Sequence, residues 1–203
     1  MASASPPISF GDRRTRAIGL LGGSFNPAHA GHLHISREAL KQIGLQQVWW
    51  LVSPQNPLKP TRGMATLDQR MKTARLEAAD PRVAVTDVES RLGTTKTAAV
   101  LRDLIRRYPR VKFIWLMGAD NLAQIPRWWR WTRIFHAACV AVFDRSPYSY
   151  RAQAGAAVAR FGRVRKRNPR SLPRSQPPAW SYLAIRRHPA SSTALRAAAK
   201  SKR

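Results

Sequence analysis

Two histidines three positions apart, His29 and His32, stand where a helix is predicted to begin. A histidine pair could bind a metal, but zinc needs three or four ligands, and the other histidines form no matching pair. Because the first turn of a helix has unpaired N–H groups and a positive dipole, the pair favours a phosphate site. Packing of both rings on a helix face is the alternative that the residues alone leave open.

Two glycines, Gly22 and Gly23, precede the histidines and follow an apolar run over residues 17–21. The run predicts a buried strand, and glycines at a strand end let a ligand approach the backbone closely. The chain contains neither the G-x-G-x-x-G spacing of dinucleotide-binding folds nor a Walker A motif. The sequence therefore predicts a phosphate site of another kind between this strand and the next helix.

Strands and helices alternate through most of the chain. Apolar runs predict strands over residues 17–21, 48–52, 83–88, 111–117, 137–143 and 182–185. Apolar periodicity predicts helices over residues 31–43, 67–79, 97–107 and 192–200. This alternation indicates an α/β fold, a Rossmann-like doubly wound parallel sheet with helices on both faces. In such sheets, ligands bind beyond the carboxyl ends of the strands.

Composition predicts a flexible tail over residues 1–15 and a single domain over residues 16–203. Within the domain we expect a basic, proline-rich connector over residues 160–178 and a C-terminal segment over residues 179–200. A single cysteine, Cys139, rules out an internal disulfide and a cysteine-rich zinc site. No apolar run approaches the roughly 18 residues of a membrane span, and no signal peptide pattern is present. We therefore expect a cytoplasmic protein without a membrane partner.

The charge of the chain is strongly positive, with 36 Lys and Arg against 10 Asp and Glu, a formal net charge of +26. Such a field attracts polyanions, and the basic tract over residues 160–174 raises the hypothesis of nucleic-acid binding. The chain lacks an RNA-binding signature and a helix-turn-helix pattern, so we predict no specific nucleic-acid partner. A solvated basic surface is the other interpretation of much of the excess.

The segment over residues 22–32, GGSFNPAHAGH, resembles the signature of the nucleotidyltransferase superfamily, whose loop carries H-x-G-H. The resemblance implies that His29 and His32 hold the phosphates of a nucleoside triphosphate and stabilise the transition state without a covalent intermediate. It also implies that four loop residues bind ATP: Gly22, Gly23, Ser24 and Phe25. The loop departs from the family at Ser24 and Asn26, where Thr and Asp are common, although both retain polar side chains.

Four later segments resemble the nicotinate-nucleotide adenylyltransferases among the enzymes that share this loop. They are PQNPLKP at residues 54–60, GADNL at 118–122, IPRWW at 125–129 and SSTALR at 191–196. The resemblance implies that Lys59 and Arg196 join the histidines as catalytic residues. It implies further contacts to ATP from Gly118, Asp120, Asn121, Arg145, Ser192 and Thr193. It also implies that nicotinate mononucleotide is bound by Asn26, Thr97, Trp128 and Trp129, with Trp128 stacked on the pyridine ring.

The implied reaction joins the AMP of ATP to nicotinate mononucleotide, on the route to NAD, and releases pyrophosphate. Because all the reactants are anionic, positioning and charge neutralisation should supply most of the rate. The sequence contains no cluster of carboxylates that suggests a metal site made by the protein alone, so Mg²⁺ is expected to arrive with ATP. The alternative within enzymes is another adenylyl- or cytidylyltransferase of the same fold. The sequence does not decide whether the protein is a monomer or a homodimer.

Overall fold

A computed structural model of the chain describes residues 16–54, 64–144, 153–186, 188–190, 192 and 195–196. The strands in these ranges are β1 (Arg16–Gly23), β2 (Gln47–Val52), β3 (Val83–Thr86), β4 (Val111–Gly118), β5 (Cys139–Phe143) and β6 (Trp180–Leu183). The α-helices are α1 (Ala30–Ile43), α2 (Leu67–Glu77), α3 (Val88–Arg91), α4 (Thr97–Arg107), α5 (Ala119–Gln124), α6 (Trp131–Ala137) and α7 (Ala156–Phe161). Short 3₁₀ helices cover Ile125–Arg127, Gly162–Val164 and Pro169–Arg174.

The strands form one parallel sheet in the order β3-β2-β1-β4-β5-β6. From β1 the chain first winds outward to β2 and β3, and from β4 it winds the other way to β5 and β6. The order therefore reverses between the neighbours β1 and β4, where Leu21 pairs with Leu116. A crevice opens at such a reversal beyond the carboxyl ends of the strands, and both Gly22-Gly23 and Gly118 lie there.

Helices cover both faces of the sheet because both faces of its central strands are apolar. On one face, β1 and β4 side chains such as Leu20 and Trp115 pack with Leu101 of α4 and Phe135 of α6. On the other face, residues such as Leu116 pack with Ile35 of α1, Met71 of α2 and Leu172 of the last 3₁₀ helix. Two apolar layers thus hold the sheet, and the predicted doubly wound α/β fold is confirmed.

Several element boundaries differ from the sequence predictions. The third strand ends at Thr86 instead of 88, because a short helix, α3, begins at Val88. The strand predicted over residues 137–143 begins at Cys139, because α6 extends to Ala137. Helix α2 ends at Glu77 instead of 79, and the last strand spans Trp180–Leu183 instead of 182–185. Each error lies at an end of an element, where apolar periodicity carries the least information.

The region predicted as a connector, residues 160–178, begins in α7 and continues through two 3₁₀ helices. Leu172 within the segment and Ala179 directly after it are buried in the core, so the segment packs on the sheet. Residues 1–15, predicted as a tail, lie outside the described residues. Within the described ranges, no helix has the length and apolar character that a membrane span requires.

Candidate active site

The two motif histidines form the start of α1 as a reciprocal pair. The N-cap residue is His29, and its Nδ1 accepts a hydrogen bond from the Gly31 N–H at 3.1 Å. In return, Nδ1 of His32 accepts from the His29 N–H at 3.2 Å. This is the geometry of a capping box, with imidazoles in place of the usual hydroxyl and carboxylate. The H-x-G-H spacing therefore builds the helix end that the sequence predicted as a phosphate site.

These two bonds also determine which ring nitrogen carries hydrogen. Because each Nδ1 accepts from a backbone N–H, the neutral rings of His29 and His32 carry their hydrogens on Nε2. The ring centroids lie 3.9 Å apart, so the two imidazoles form one compact unit. A unit with hydrogens on both Nε2 atoms has the chemistry to donate to phosphate oxygens.

Close packing against side-chain rings requires glycine at positions 22 and 31. A Cβ at Gly31 would lie 2.9 Å from two atoms of the His29 ring and 3.0 Å from the carbonyl oxygen of Ala190. A Cβ at Gly22 would meet the Trp115 ring at 2.5 Å. Glycine at position 22 is thus needed for packing against β4, in addition to the ligand approach that its place in the sequence suggests.

Phe25 supports the imidazole of His32 from the loop. Its backbone has φ 46°, a left-handed conformation that is uncommon for a bulky residue. Its ring is buried, stacks on Trp50 at 5.1 Å and lies 4.7 Å from the His32 ring. The strained turn therefore places an aromatic surface behind a motif histidine, and the ATP contact implied by the resemblance stays a prediction.

An arginine of α2 ties the loop after β1 to the loop after β2. Nη1 of Arg70 donates to the carbonyl oxygens of Ser24 and Ser53, each at 2.7 Å. Its Nη2 donates to the Pro54 oxygen at 2.8 Å, and its Nε to the Ala65 oxygen at 3.0 Å. The side chain is buried, and burial lowers the pKa of Arg70. Sequence reasoning did not identify this residue.

The C-terminal segment meets the same loop from the other side. Nη1 of Arg196 donates to the carbonyl oxygen of Asn26 at 2.6 Å, and the Ser192 hydroxyl donates to that of Pro27 at 3.0 Å. The His34 ring on α1 lies 2.7 Å from the Arg186 oxygen, which helps to hold the segment there. The fold thus brings Arg196 and Ser192 to the H-x-G-H loop across about 170 residues of sequence.

The residues proposed for the acceptor lie on several separate elements. The first residue of α4 is Thr97, which is half-buried. Trp128, after the 3₁₀ helix that follows α5, is half-buried and packs against the core. Trp129 is 46% exposed, with the Arg130 guanidinium 4.6 Å above its ring. The Asn26 side chain accepts from the Ala65 N–H at 3.3 Å, so it also joins the loop to the start of α2.

The carboxyl end of β4 carries the residues that the resemblance placed near ATP. Gly118 is the N-cap of α5, and Asp120 and Asn121 occupy its first turn, both half-buried. Of the remaining predicted site residues, Lys59, Arg145 and Thr193 lie outside the described residues.

A buried carboxyl lies beyond the carboxyl ends of β2 and β3 and was also missed by the sequence predictions. Glu89 of α3 is 5% exposed and accepts a hydrogen bond from the Ser53 hydroxyl. Burial raises the pKa of Glu89 to about 7, although the bond from Ser53 acts in the opposite direction. No hydrogen-bond partner of its Oε2 lies among the described residues. The carboxyl is thus neutral over part of the physiological range.

Comparison with known proteins identifies the family. A family model described as cytidylyltransferase-like matches residues 20–198. A probable nicotinate-nucleotide adenylyltransferase of Roseobacter denitrificans is 50% identical over 186 residues, 91% of this chain and 93% of that protein. One from Cereibacter sphaeroides is 51% identical over 180 residues, 89% and 96% of the two chains. This chain belongs to the nicotinate-nucleotide adenylyltransferase family. The prediction of this family from the loop and the four later segments is confirmed.

A solved structure shares the fold at much lower identity. The nicotinic acid mononucleotide adenylyltransferase of Plasmodium falciparum, complexed with NaAD, superposes with a TM-score of 0.67 at 16% identity. The match covers 90% of this chain and 83% of that chain. The two proteins therefore share the fold described above.

One signal for Arg70 was present in the sequence. Leu67, Arg70, Met71 and Ala74 follow the spacing of one helical face, and Met71 and Ala74 are buried. An arginine in an apolar stripe must find oxygen partners inside the protein. The periodicity could have shown its burial, but the four carbonyl partners come from two loops that only the fold brings together.

Proposed function

We propose that this member of the family transfers the AMP of ATP to nicotinate mononucleotide and forms nicotinate adenine dinucleotide and pyrophosphate. In this reaction a 5′-phosphate oxygen of the mononucleotide attacks the α-phosphorus of ATP, and the bond to the β-phosphate oxygen breaks. The electron pair of that bond leaves with pyrophosphate. The observation that carries the proposal is the H-x-G-H helix start at the reversal of strand order, with Arg196 bound to the same loop.

The histidines act on the phosphates of ATP in this proposal. Their Nε2–H groups donate to phosphate oxygens, while each Nδ1 is occupied by a backbone N–H. Neither ring needs to form a bond to phosphorus, because fixed donors suffice to stabilise the charge that develops in an in-line transfer. The N-terminal N–H groups of α1 add a positive dipole at the same place.

Further contacts to ATP come from several separate parts of the chain. Arg196 and Lys59 supply cations, with Ser192 and Thr193 beside Arg196 in sequence. Gly22, Gly23, Ser24 and Phe25 shape the loop, while Gly118, Asp120, Asn121 and Arg145 bind the nucleoside part. The proposal for Arg196 is supported by its bond to the Asn26 oxygen, which places the guanidinium on the loop.

The acceptor lies against the tryptophans that follow α5. The indole of Trp128 stacks on the pyridine ring, and Thr97, Trp129 and Asn26 complete this half of the site. The position of Thr97 at the start of α4 supports its role, because a helix N-terminus favours the nicotinate carboxylate.

A divalent cation, Mg²⁺, would arrive with ATP. Within the described ranges, no group of three or more His, Cys, Asp or Glu side chains could hold a metal ion. The cation supplies neutralisation of phosphate charge. The protein contributes the imidazole and guanidinium donors described above. We place the reaction in the cytoplasm and propose neither a membrane nor a specific nucleic acid as a partner.

Product analysis tests the proposal. The purified protein is incubated with Mg²⁺ and ATP or CTP, and with nicotinate mononucleotide, nicotinamide mononucleotide or phosphopantetheine. We expect nicotinate adenine dinucleotide and an equal amount of pyrophosphate from ATP and nicotinate mononucleotide. Preferred use of CTP or of phosphopantetheine would overturn the assigned substrates, and a His29→Ala/His32→Ala double variant controls for contaminating activity.

A further inference from the structure

Arg70 is a charged side chain that the proposed reaction does not use directly. It is 2% exposed, and its four hydrogen bonds to described residues all go to backbone carbonyl oxygens. Within the described ranges, no carboxylate forms an ion pair with it. Burying an arginine without a carboxylate has a large desolvation cost, which only several well-placed acceptors can offset. Such an arrangement needs an explanation beyond packing.

The partners of Arg70 provide one. Its acceptors lie in the loop after β1 (Ser24), in the loop after β2 (Ser53 and Pro54) and just before α2 (Ala65). The first of these loops carries His29 and His32. The second continues toward Lys59. One guanidinium therefore bridges the two loops from which the proposed phosphate-binding side chains come.

The loop after β1 is held at three carbonyl oxygens by side chains from distant parts of the chain. Arg70 binds Ser24, Arg196 binds Asn26 and Ser192 binds Pro27. On the α2 side, the Asn26 side chain adds a bond to Ala65. A capping box alone does not fix the path of the residues that lead into the helix. These bonds therefore determine where the imidazoles lie relative to β2.

We propose that Arg70 is a positioning residue for the adenylyl transfer, and that its guanidinium holds the loop after β1 against the loop after β2. The inference rests on the proposed function, since the imidazoles it places are those that would meet phosphate. Its positive charge also lies directly under a loop that receives polyanions.

A lysine at this position separates charge from geometry. An ammonium keeps the positive charge, but it lacks the planar fork that reaches acceptors on three segments at once. Arg70→Lys should therefore fold while the two loops lose their common anchor. Arg75→Lys is the matched control, because Arg75 is exposed on the same helix, about 1.4 turns away.

Steady-state kinetics with both substrates provide the first measurement. We expect Arg70→Lys to lower kcat by roughly 10- to 100-fold, because small misplacements of catalytic groups have effects of this size. Each KM should change by less than about threefold, since the donors are still present. Arg75→Lys should match the wild type. A folded Arg70→Lys enzyme with unchanged kcat overturns the proposal.

Hydrogen exchange and chemical rescue separate positioning from a general folding defect. Peptides that cover residues 23–32 should exchange faster in Arg70→Lys, whereas those of α4 should not. Arg70→Ala should regain part of its kcat when methylguanidinium is added. If both variants lose activity only in proportion to their unfolded fraction, Arg70 is structural and the proposal fails. A wild type that forms no dinucleotide would overturn the proposed function instead, and the exchange data would still test the anchor.

Discussion

The two roles of His32 can be separated by substitution. Its Nδ1 accepts the His29 N–H at 3.2 Å and so caps α1, while its Nε2–H is proposed to donate to phosphate. Loss of a helix cap lowers the free energy of unfolding by ~0.5–2 kcal/mol. Loss of one positioned donor to a transition state lowers kcat by ~10²–10³. His32→Ala should show both effects, with a Tm lower by roughly 1–8 °C.

His32→Glu should instead separate them. Glutamate at this position of the helix is the usual partner in a capping box, and a carboxylate in the first turn interacts well with the helix dipole. The Tm of His32→Glu should therefore lie above that of His32→Ala. Its kcat should be the lower of the two, because a carboxylate repels phosphate and has no hydrogen to donate.

Pyrophosphate release and thermal unfolding provide the two measurements, with His136→Ala as a control at an exposed position of α6. We expect the order of kcat to be wild type, Ala, Glu, while the order of Tm places Glu above Ala. If kcat instead follows Tm across the three proteins, His32 acts through stability alone, and the assignment of a phosphate donor is refuted.

Burial raises the pKa of Glu89 from 4.5 to about 7, so the free energy of unfolding falls as the pH rises through that interval. Glu89→Gln has no such carboxyl, so its free energy of unfolding minus that of the wild type should increase by about 3 kcal/mol from pH ~4 to pH ~8. Denaturant unfolding measures this difference, and an equal difference at both pH values would contradict the prediction. Trp128→Ala should raise KM for nicotinate mononucleotide about tenfold and leave KM for ATP within about twofold. A large fall in Tm with both KM values shifted alike would make Trp128 a core residue. Lys59→Ala and Arg196→Ala should each weaken binding of a nonhydrolysable ATP analogue in calorimetry, and unchanged affinity and turnover in both would remove them from the site. Nucleic acid retained on the basic surface should dissociate as salt rises from about 0.1 to 1 M, and retention at high salt would indicate specific binding.

The alternation of strands and helices could be predicted from the sequence because buried apolar residues recur with the spacing of a helix or form the short runs of a strand. Helix α4 spans Thr97–Arg107, as predicted, because its apolar stripe and the residues that flank it indicate the same two ends. The H-x-G-H loop was readable for another reason: its capping box is built from residues within three positions of one another. Local interactions of this kind can be predicted from the spacing of residues in the sequence.

Element ends and long-range partners were not readable in this way. Apolar character continues from α6 into β5, so composition alone did not separate Ala137 from Cys139. The proposed roles of Arg196 and Ser192 came from resemblance, and only the fold gave them carbonyl partners in the loop after β1.

Arg70 illustrates the limit most clearly. Its place in an apolar stripe could have indicated burial, because a helical period records which face of α2 turns inward. Its partners lie 5, 16, 17 and 46 residues away, in the loop after β1 and in the connection between β2 and α2. The sequence by itself determined the fold class, the family and the helix start that we propose as the phosphate site. Only the tertiary structure decided which backbone oxygens surround the buried guanidinium, because parallel strands place the loops at their carboxyl ends side by side whatever their separation in the chain.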